Sequence, residues 1–329
     1  MSSRKLSLLL FLSCLICLLL ACAFGSTSMN FSRVLAALFW ESSTADNIVI
    51  WQIRLPRALS ALLVGAALGA SGAALQGLLR NPLAEPGVLG VTASSSLLAT
   101  FSLYYGLIIS SPFLLPIYSI VGALIATGLL VVVAIRVSSV VTLILVGVGL
   151  SSFSAALMSL LLNLAPNPFS LADMINWLLG SVANRSFNDI LIVSPFMLCG
   201  FVILFFSKRG LVVLTLGEEA ASGIGVNLYR LRIAVILGTG LMTGASVALA
   251  GAIGFIGIVA PHIIRPLIHH DPSKSIVPSA LLGGLILIIA DIIIRLLPTS
   301  SELKLGVIAA IIGAPAFIWI AMKQRIAHD

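Results

Sequence analysis

The chain has 329 residues, of which 60% are apolar and only 9% are charged, and its mean hydropathy is +1.18. A water-soluble domain of this length could not bury so much apolar surface, so the composition excludes a soluble globular protein and predicts an all-α polytopic membrane protein. The net charge of +7 does not indicate nucleic-acid binding, because the basic residues are scattered between the apolar segments.

Ten apolar segments are predicted to cross the membrane, for which a helix needs about 20 residues. In chain order they cover residues 6–24, 58–79, 88–108, 114–135, 140–163, 188–206, 231–250, 253–268, 276–297 and 305–322. The segment 253–268 is short and rich in glycine, so it is the weakest of the ten. No linker is long enough to hold a soluble domain, and residues 1–329 are therefore expected to form a single transmembrane domain.

The basic residues predict the orientation of these helices. An even number of crossings places both termini on one side, where twelve Lys and Arg residues would lie: Arg4, Lys5, Arg80, Arg136, Lys208, Arg209, Arg230, Arg232, Arg265, Lys274, Lys323 and Arg325. Six would lie on the other side: Arg33, Arg54, Arg57, Arg185, Arg295 and Lys304. Because cytoplasmic loops carry an excess of Lys and Arg, both termini are predicted to be cytoplasmic in a multi-pass protein of the inner or plasma membrane.

The N-terminal segment permits a second interpretation. Arg4 and Lys5, an apolar run and then Ala21-Cys22-Ala23 resemble a cleaved secretory signal. We favour a retained first span, residues 6–24, because its removal would leave nine crossings and place the two ends on opposite sides. The four cysteines have no metal-ligand or redox spacing, so no metal site is predicted.

Two arginines flank the predicted start of the second span. Pro56 suits the first turn of a helix, so Arg54 and Arg57 lie near a helix N-terminus, where a cation is unfavourable by roughly 0.3–1 kcal/mol. They either extend to lipid headgroups or form a docking point for a carboxylate of another protein. Arg295 ends the ninth span on the same face, and Asp291, four residues earlier, is within reach to pair with it.

Residues 80–90 form a polar elbow after the second span. Pro82 forbids continuation of the helix, and Pro86 with Gly87 repeats the break. The elbow is either a plain loop or non-helical backbone that must be buried in protein or line an aqueous cavity.

Two connecting segments are expected to contain short helices. One lies on the outer face between residues 163 and 188. The other lies in the longest inner loop, residues 207–232, where glycines bracket one or two helical turns with paired acids within 216–226.

The chain lacks the motifs of an ATPase or a hydrolase. It has no G-x-x-x-x-G-K-[ST] phosphate loop, no nucleophile elbow and no carboxylate pair suited to acid–base chemistry. The only acid well inside a span is Asp291, which Arg295 can neutralise. We therefore expect that the chain is not an enzyme, binds no cofactor and is not coupled to protons by itself.

Five segments together resemble one transporter family, the FecCD-type permease subunits of binding-protein-dependent ABC importers for ferric siderophores, haem or cobalamin. The similarity covers nearly the whole chain and rests on RLPR at 54–57, LQGLLRNPLAEPGVLG at 75–90, LGEEAASGIG at 216–225, GFIGIVAPHIIR at 254–265 and GAPAFIW at 313–319. It implies the type II ABC importer permease architecture, with ten helices in each subunit. The implied partners are a second permease copy or paralogue, two cytoplasmic ATPase subunits that use ATP and Mg²⁺, and an extracytoplasmic substrate-binding protein.

The resemblance also implies roles for particular residues. Arg54, Arg57 and Arg295 would dock glutamates of the binding protein. The ATPase coupling helix would comprise Leu216, Gly217, Glu218, Glu219, Ala220, Ser222, Gly223 and Gly225. The cytoplasmic gate would comprise Asn81, Leu83, Ser138, Ser139, Val140 and Val141. Val140 and Val141 depart from the cobalamin permeases of the family, which have hydroxyl residues at these positions.

The predicted function is that of a permease in an ATP-driven importer for a ferric siderophore. Haem or cobalamin are alternative substrates. A secondary carrier that works alone is a further alternative, which a neighbouring ATPase gene or ATP-dependent uptake would exclude. A membrane-embedded enzyme is disfavoured because no reactive constellation is present.

Overall fold

The computed structural model describes residues 3–25, 29–39, 43–137, 139–298 and 302–326, and these form helices and connecting turns with no β-strand. The α-helices are α1 Ser3–Ala23, α2 Phe31–Phe39, α3 Thr44–Ile48, α4 Leu55–Leu79, α5 Val91–Tyr104, α6 Leu107–Ser110, α7 Leu114–Arg136, α8 Val140–Asn163, α9 Pro168–Leu178, α10 Phe187–Val213, α11 Glu218–Gly223, α12 Leu228–Ala250, α13 Ile256–Leu267, α14 Ile276–Leu296 and α15 Leu305–Ile326.

Seven helical segments of the described chain are long and apolar enough to cross a bilayer: α1, the continuous run of α3 to α4 (Thr44–Leu79), α7, α8, α10, α12 and α14. The prediction of ten crossings is therefore supported in seven places. The predicted spans 88–108, 253–268 and 305–322 coincide with α5, α13 and α15, and the apolar helical runs of the last two are short. The fourteen residues of α5 extend only about 21 Å, which is less than the roughly 30 Å hydrocarbon core. The full count of ten stays a prediction.

The segment between the first two spans is more helical than the sequence indicated. It contains α2, α3 and a π-helical turn, Val49–Arg54, that leads directly into α4. Ser43 caps α3 by accepting a hydrogen bond from the backbone N–H of Asp46, and Arg33 donates to the Asp46 carboxylate at 2.6 Å. These short helices carry no long apolar run, which explains why hydropathy alone treats the segment as a connection.

The centre of the bundle is α4, which packs closely against α14. A Cβ atom on Gly65 would lie 2.2 Å from the Gly283 carbonyl oxygen, and one on Gly69 would lie 2.1 Å from the Ser279 carbonyl oxygen. Small residues allow this backbone approach, which is typical of membrane helices. In contrast, much of α8 and α10 is exposed, which leaves apolar faces for lipid or for a partner subunit.

The bundle has two distinct ends. At one end the C-termini of α1, α12 and α14 meet the N-termini of α4 and α15. The contacts that show this are Arg295 with Ala21, Arg57 with Asp291, Ser181 with Ala250 and Gly306 with Gly180. At the other end the C-terminus of α4 lies near the N-termini of α8 and α12. We call these the outer end and the inner end.

The elbow turns back into the bundle. Its Gly90 approaches the carbonyl oxygen of Gly147, which lies two turns inside α8, so a Cβ at Gly90 would be 2.9 Å from that oxygen. Ala84, Pro86 and Leu89 are buried. The elbow is therefore partly buried in protein, in line with the second of the two interpretations of the sequence, but Pro86–Leu89 within it form a 3₁₀ turn. Helix α5 begins inside the bundle, which accounts for its shortness.

Candidate functional site

The outer end carries a cluster of charged side chains centred on Asp291, which is 1% exposed. Arg57 donates to one Asp291 carboxylate oxygen from Nε at 2.9 Å and from Nη2 at 2.7 Å. Arg295 Nη2 lies 2.9 Å from the other oxygen, which confirms the pairing expected from their spacing. Arg57 also contacts the carboxylate of Glu302, which lies just before α15. One buried carboxylate thus holds two arginines, and a second, exposed carboxylate adds to the pairing.

Arg54 and Arg295 cap the first helix. Arg54 Nη1 donates to the carbonyl oxygens of Cys22 and Ala23, each at 2.8 Å, and Arg295 Nη1 donates to that of Ala21 at 2.9 Å. The last carbonyl groups of a helix have no partner within the helix and carry the negative end of its dipole. Arg54 and Arg295 supply both hydrogen bonds and positive charge there, so they tie α1 to α4 and α14.

The three predicted docking residues are therefore brought together, but in a form that the sequence did not predict. Arg54 is buried, and the side chains of Arg57 and Arg295 are 12% and 8% exposed. Each already contacts acceptors within the chain. The proposed docking of a partner's glutamates stays a prediction, and any such partner would add to, or compete for, these existing contacts.

The elbow meets the start of α13 beside α4. A Glu85 carboxylate oxygen accepts a hydrogen bond from the Phe255 backbone N–H at 3.2 Å, and the Gln76 side chain donates to the Gly257 carbonyl oxygen at 3.2 Å. Phe255 has a φ of 67°, a left-handed conformation that is uncommon for a bulky residue. Ser151 donates to the Gly87 carbonyl oxygen at 3.1 Å from the α8 side. The two interrupted parts of the chain thus support one another.

The segment 207–232 contains the short helix that the sequence predicted within 216–226. Positive φ angles at Gly217 and Gly225, 102° and 90°, turn the chain on each side of α11. Ala221 is buried, whereas all eight predicted coupling residues are exposed or half-buried: Leu216, Gly217, Glu218, Glu219, Ala220, Ser222, Gly223 and Gly225. Glu218 is held by Arg232 of α12 at 2.7 Å. The segment therefore presents one exposed face at the inner end.

The predicted gate residues also lie at the inner end. Asn81 forms a turn by accepting a hydrogen bond from the Leu83 backbone N–H at 2.9 Å. Ser139 caps α8 by accepting from the Thr142 N–H at 3.2 Å, and Val141 is exposed. Ser139 and Val140 line a small cleft together with Leu79, the last residue of α4. Ser138 lies outside the described residues. The gating role stays a prediction.

Sequence reasoning missed Glu302 and the pairing of Arg57 with Asp291. Arg57 and Asp291 are 234 positions apart, and no local spacing links them. The excess of arginine at a helix N-terminus was the only available signal, because such a cation needs an acceptor.

Comparison with known proteins places this geometry in a family. The sequence profile of the FecCD transport family matches residues 12–323. An ABC transporter permease protein of Bacillus subtilis, YvrB, which is not characterised, is 39% identical over 303 residues, 88% of this chain and 85% of that protein. The hemin transport system permease protein HmuU of Yersinia pestis is 35% identical over 329 residues, 96% of each chain. The vitamin B12 import system permease protein BtuC of Vibrio cholerae is 38% identical over 290 residues, 87% of this chain and 86% of that protein.

A solved structure of an ABC transporter has a fold similar to that of this chain. It shows an inward-facing conformation of an ABC transporter assigned to the metal-chelate type, with a TM-score of 0.84 and 32% sequence identity, and it covers 98% of this chain and 100% of the other. The resemblance found in the five sequence segments is thereby confirmed. The chain belongs to the FecCD transport family.

Proposed function

We propose that this chain is the membrane-spanning permease subunit of an ATP-driven importer that takes a ferric siderophore from an extracytoplasmic binding protein. As a family member it is a transport subunit and not an enzyme. The observation that carries the choice of a metal chelate is the similarity, over 98% of the chain, to the transporter assigned to the metal-chelate type.

Haem and cobalamin are the alternative cargoes. They are favoured by the relatives named as hemin and vitamin B12 permeases, at 35% and 38% identity. The apolar Val140 and Val141 at the predicted gate count against cobalamin, because the resemblance places hydroxyl residues there in cobalamin permeases. A carrier that works alone has no support from the family match.

ATP hydrolysis would take place in two partner subunits, which bind ATP and Mg²⁺, while this chain binds no cofactor. The exposed face of the segment 216–226 supports a contact with such a subunit. Leu216 and Ile224, both 66% exposed, stand on either side of α11 and offer apolar surface to such a partner. Through Ala221 and the Glu218–Arg232 ion pair, a push on α11 would reach α12 and the rest of the inner end. A second permease, a copy or a paralogue, would complete the pathway.

A binding protein would dock at the outer end through Arg54, Arg57 and Arg295. The proposal is supported by the concentration of three arginines there and by the partial exposure of Glu302, which a partner glutamate could replace on Arg57. Both termini then lie in the cytoplasm, at the inner end. The twelve basic residues predicted on that side support this orientation.

The test of the function is uptake by proteoliposomes that contain this chain, its ATPase and the binding protein. Labelled ferric siderophore, haem and cobalamin are offered separately, with and without internal ATP. We expect siderophore uptake that requires both ATP and the binding protein. ATP-dependent uptake of haem or cobalamin alone would reassign the cargo, and uptake by the chain alone without ATP would refute the importer.

The docking assignment has its own test, the replacement of Arg54 and Arg57 by glutamate. We expect loss of binding-protein association and of transport, and assembly of the complex is measured alongside because Glu at position 57 would face the buried Asp291. Because Arg57 pairs with Asp291, the matched control is Asp291→Asn, which disturbs the cluster but leaves both positive charges in place. If Asp291→Asn abolishes association as completely as the charge reversal, the effect is structural and the docking role is wrong.

A further inference from the structure

A polar cavity lies at the outer end, and none of the residues that line it belongs to the Asp291 cluster. Its volume is about 350 Å³, which falls in the usual range of roughly 300–1,000 Å³ for small-molecule sites. It lies between the end of α5, the helix α9 and the turn that leads to α10. Its polar lining consists of Asp173, Asn176, Trp177, Ser181, Asn184, Arg185 and Lys304.

The cavity has an excess of positive charge and of hydrogen-bond donors. Arg185 and Lys304 contribute two cations to the lining and Asp173 contributes one carboxylate, while the Asp189 carboxylate, which acts on Arg185, lies outside the lining. The Arg185 guanidinium lies 5.1 Å from the centre of the Trp177 ring, a cation–π contact that holds both side chains in place.

Two residues that line this cavity carry a buried donor without an acceptor among the residues that the structure describes: Trp177 at Nε1 and Arg185 at Nε. Trp177 is only 9% exposed, so bulk water does not readily satisfy its N–H. Burial lowers the pKa of Arg185, and the charge of Asp189 opposes that effect. A buried N–H without an acceptor is destabilising, and sites that bind a polar ligand commonly keep such groups ready for it.

We propose that this cavity binds a carboxylate or a similar oxyanion group of the imported cargo, so that the cargo of this importer is anionic. This inference rests on the proposed import function, because the cavity opens at the end from which cargo would arrive. Arg185 and Lys304 supply the charge, and the Trp177 and Arg185 N–H groups supply direction.

A small molecule fits this cavity better than a protein side chain does. Trp177 is nine-tenths buried and the donors are recessed, so a docking protein would have to insert a side chain to reach them. Charge-assisted hydrogen bonds to an oxyanion are about twice as strong as neutral ones, so a small anion gains most at such a site.

The test measures binding without transport. The full chain in lipid nanodiscs is titrated by calorimetry, at low salt, with tricarballylate as a small carboxylate probe and with its uncharged trimethyl ester. We expect the anion to bind and the ester not to bind. Arg185→Gln and Lys304→Gln should each weaken the binding by about tenfold or more. Trp177→Phe, which keeps a ring beneath Arg185 but removes the N–H, should weaken it by a smaller factor.

The matched control is Arg136→Gln, which removes an exposed arginine at the inner end of α7 and should leave the affinity unchanged. Circular dichroism and size-exclusion profiles show that each variant is folded. Equal binding by all four variants, or equal binding of the ester, would overturn the proposal. So would unchanged anion affinity together with lost binding-protein association in the Arg185 and Lys304 variants, which would assign the cavity to protein docking. Because no ATPase is present, these results stand whether or not siderophore uptake is found.

Discussion

Replacement of Asp291 by asparagine should destabilise the folded chain more than removal of an exposed carboxylate at the outer end does. The Asp291 side chain is 1% exposed, and it neutralises Arg57 and Arg295, whose side chains are 12% and 8% exposed. Asparagine keeps the shape and one acceptor oxygen but removes the charge, so two neighbouring guanidinium groups lose their shared counter-ion. Breaking a buried ion pair on one side costs about 3–5 kcal/mol. Because an amide can still accept a hydrogen bond, we expect the lower end, about 3 kcal/mol.

The matched variant is Glu302→Gln. It removes a second carboxylate from the same Arg57, but Glu302 is 42% exposed, and an exposed pair contributes at most about 1 kcal/mol. The assay is unfolding of each variant in mixed micelles containing increasing SDS, followed by circular dichroism. If Asp291→Asn is no more destabilising than Glu302→Gln, the charge compensation inferred from burial is wrong, and the cluster contributes little to folding.

Three further predictions follow from the described contacts. Arg54→Ala should loosen the end of α1 and expose the Cys22 residue, which is 1% exposed in the folded chain. The measurement is maleimide labelling of Cys22 in a Cys199→Ser background. Unchanged labelling would contradict the capping role of Arg54. Gly72→Ala should cost about 1–3 kcal/mol because its Cβ would meet the Gly257 carbonyl oxygen. Gly128→Ala in α7, whose Cβ meets no described atom within 4 Å, should cost nothing in the same unfolding assay. Burial alone would raise the pKa of Asp271. Hydrogen bonds from Lys274 and Ser273 outweigh this effect, so the pKa lies below the ordinary carboxyl value. Its stabilising effect is thus present above about pH 4 and is lost as the pH falls through the folded-state pKa, so the stability difference between Asp271→Asn and the wild type should shrink below about pH 4.

The sequence predicted the long helices well because each is an uninterrupted apolar run. The predicted span 114–135 became α7, Leu114–Arg136, and 140–163 became α8, Val140–Asn163. The short helices α9 and α11 were also predictable, since proline or glycine marks their ends. These features are local, and local chemistry is sufficient to place them.

The rest depends on contacts between distant parts of the chain. Hydropathy could not show that α5 begins inside the bundle, because the depth of the elbow is set by Gly90 packing against Gly147 of α8. The partner of Arg295 was predictable from its four-residue spacing, whereas that of Arg57 was not. The capping of α1 by Arg54 likewise joins residues about thirty positions apart.

Two of the five sequence segments that carried the family resemblance, 75–90 and 254–265, contact each other in the structure. Each contains a break that would leave backbone polar groups without partners in a low-dielectric interior, at a high cost in free energy. The breaks lie side by side, so the Glu85 carboxylate accepts from the Phe255 N–H and the Gln76 side chain donates to the Gly257 carbonyl oxygen. Close approach of the backbones at Gly72 and Gly257 makes these bonds possible. Because each break supplies hydrogen-bond partners to the other, we expect the elbow and the start of α13 to move together in any conformational change.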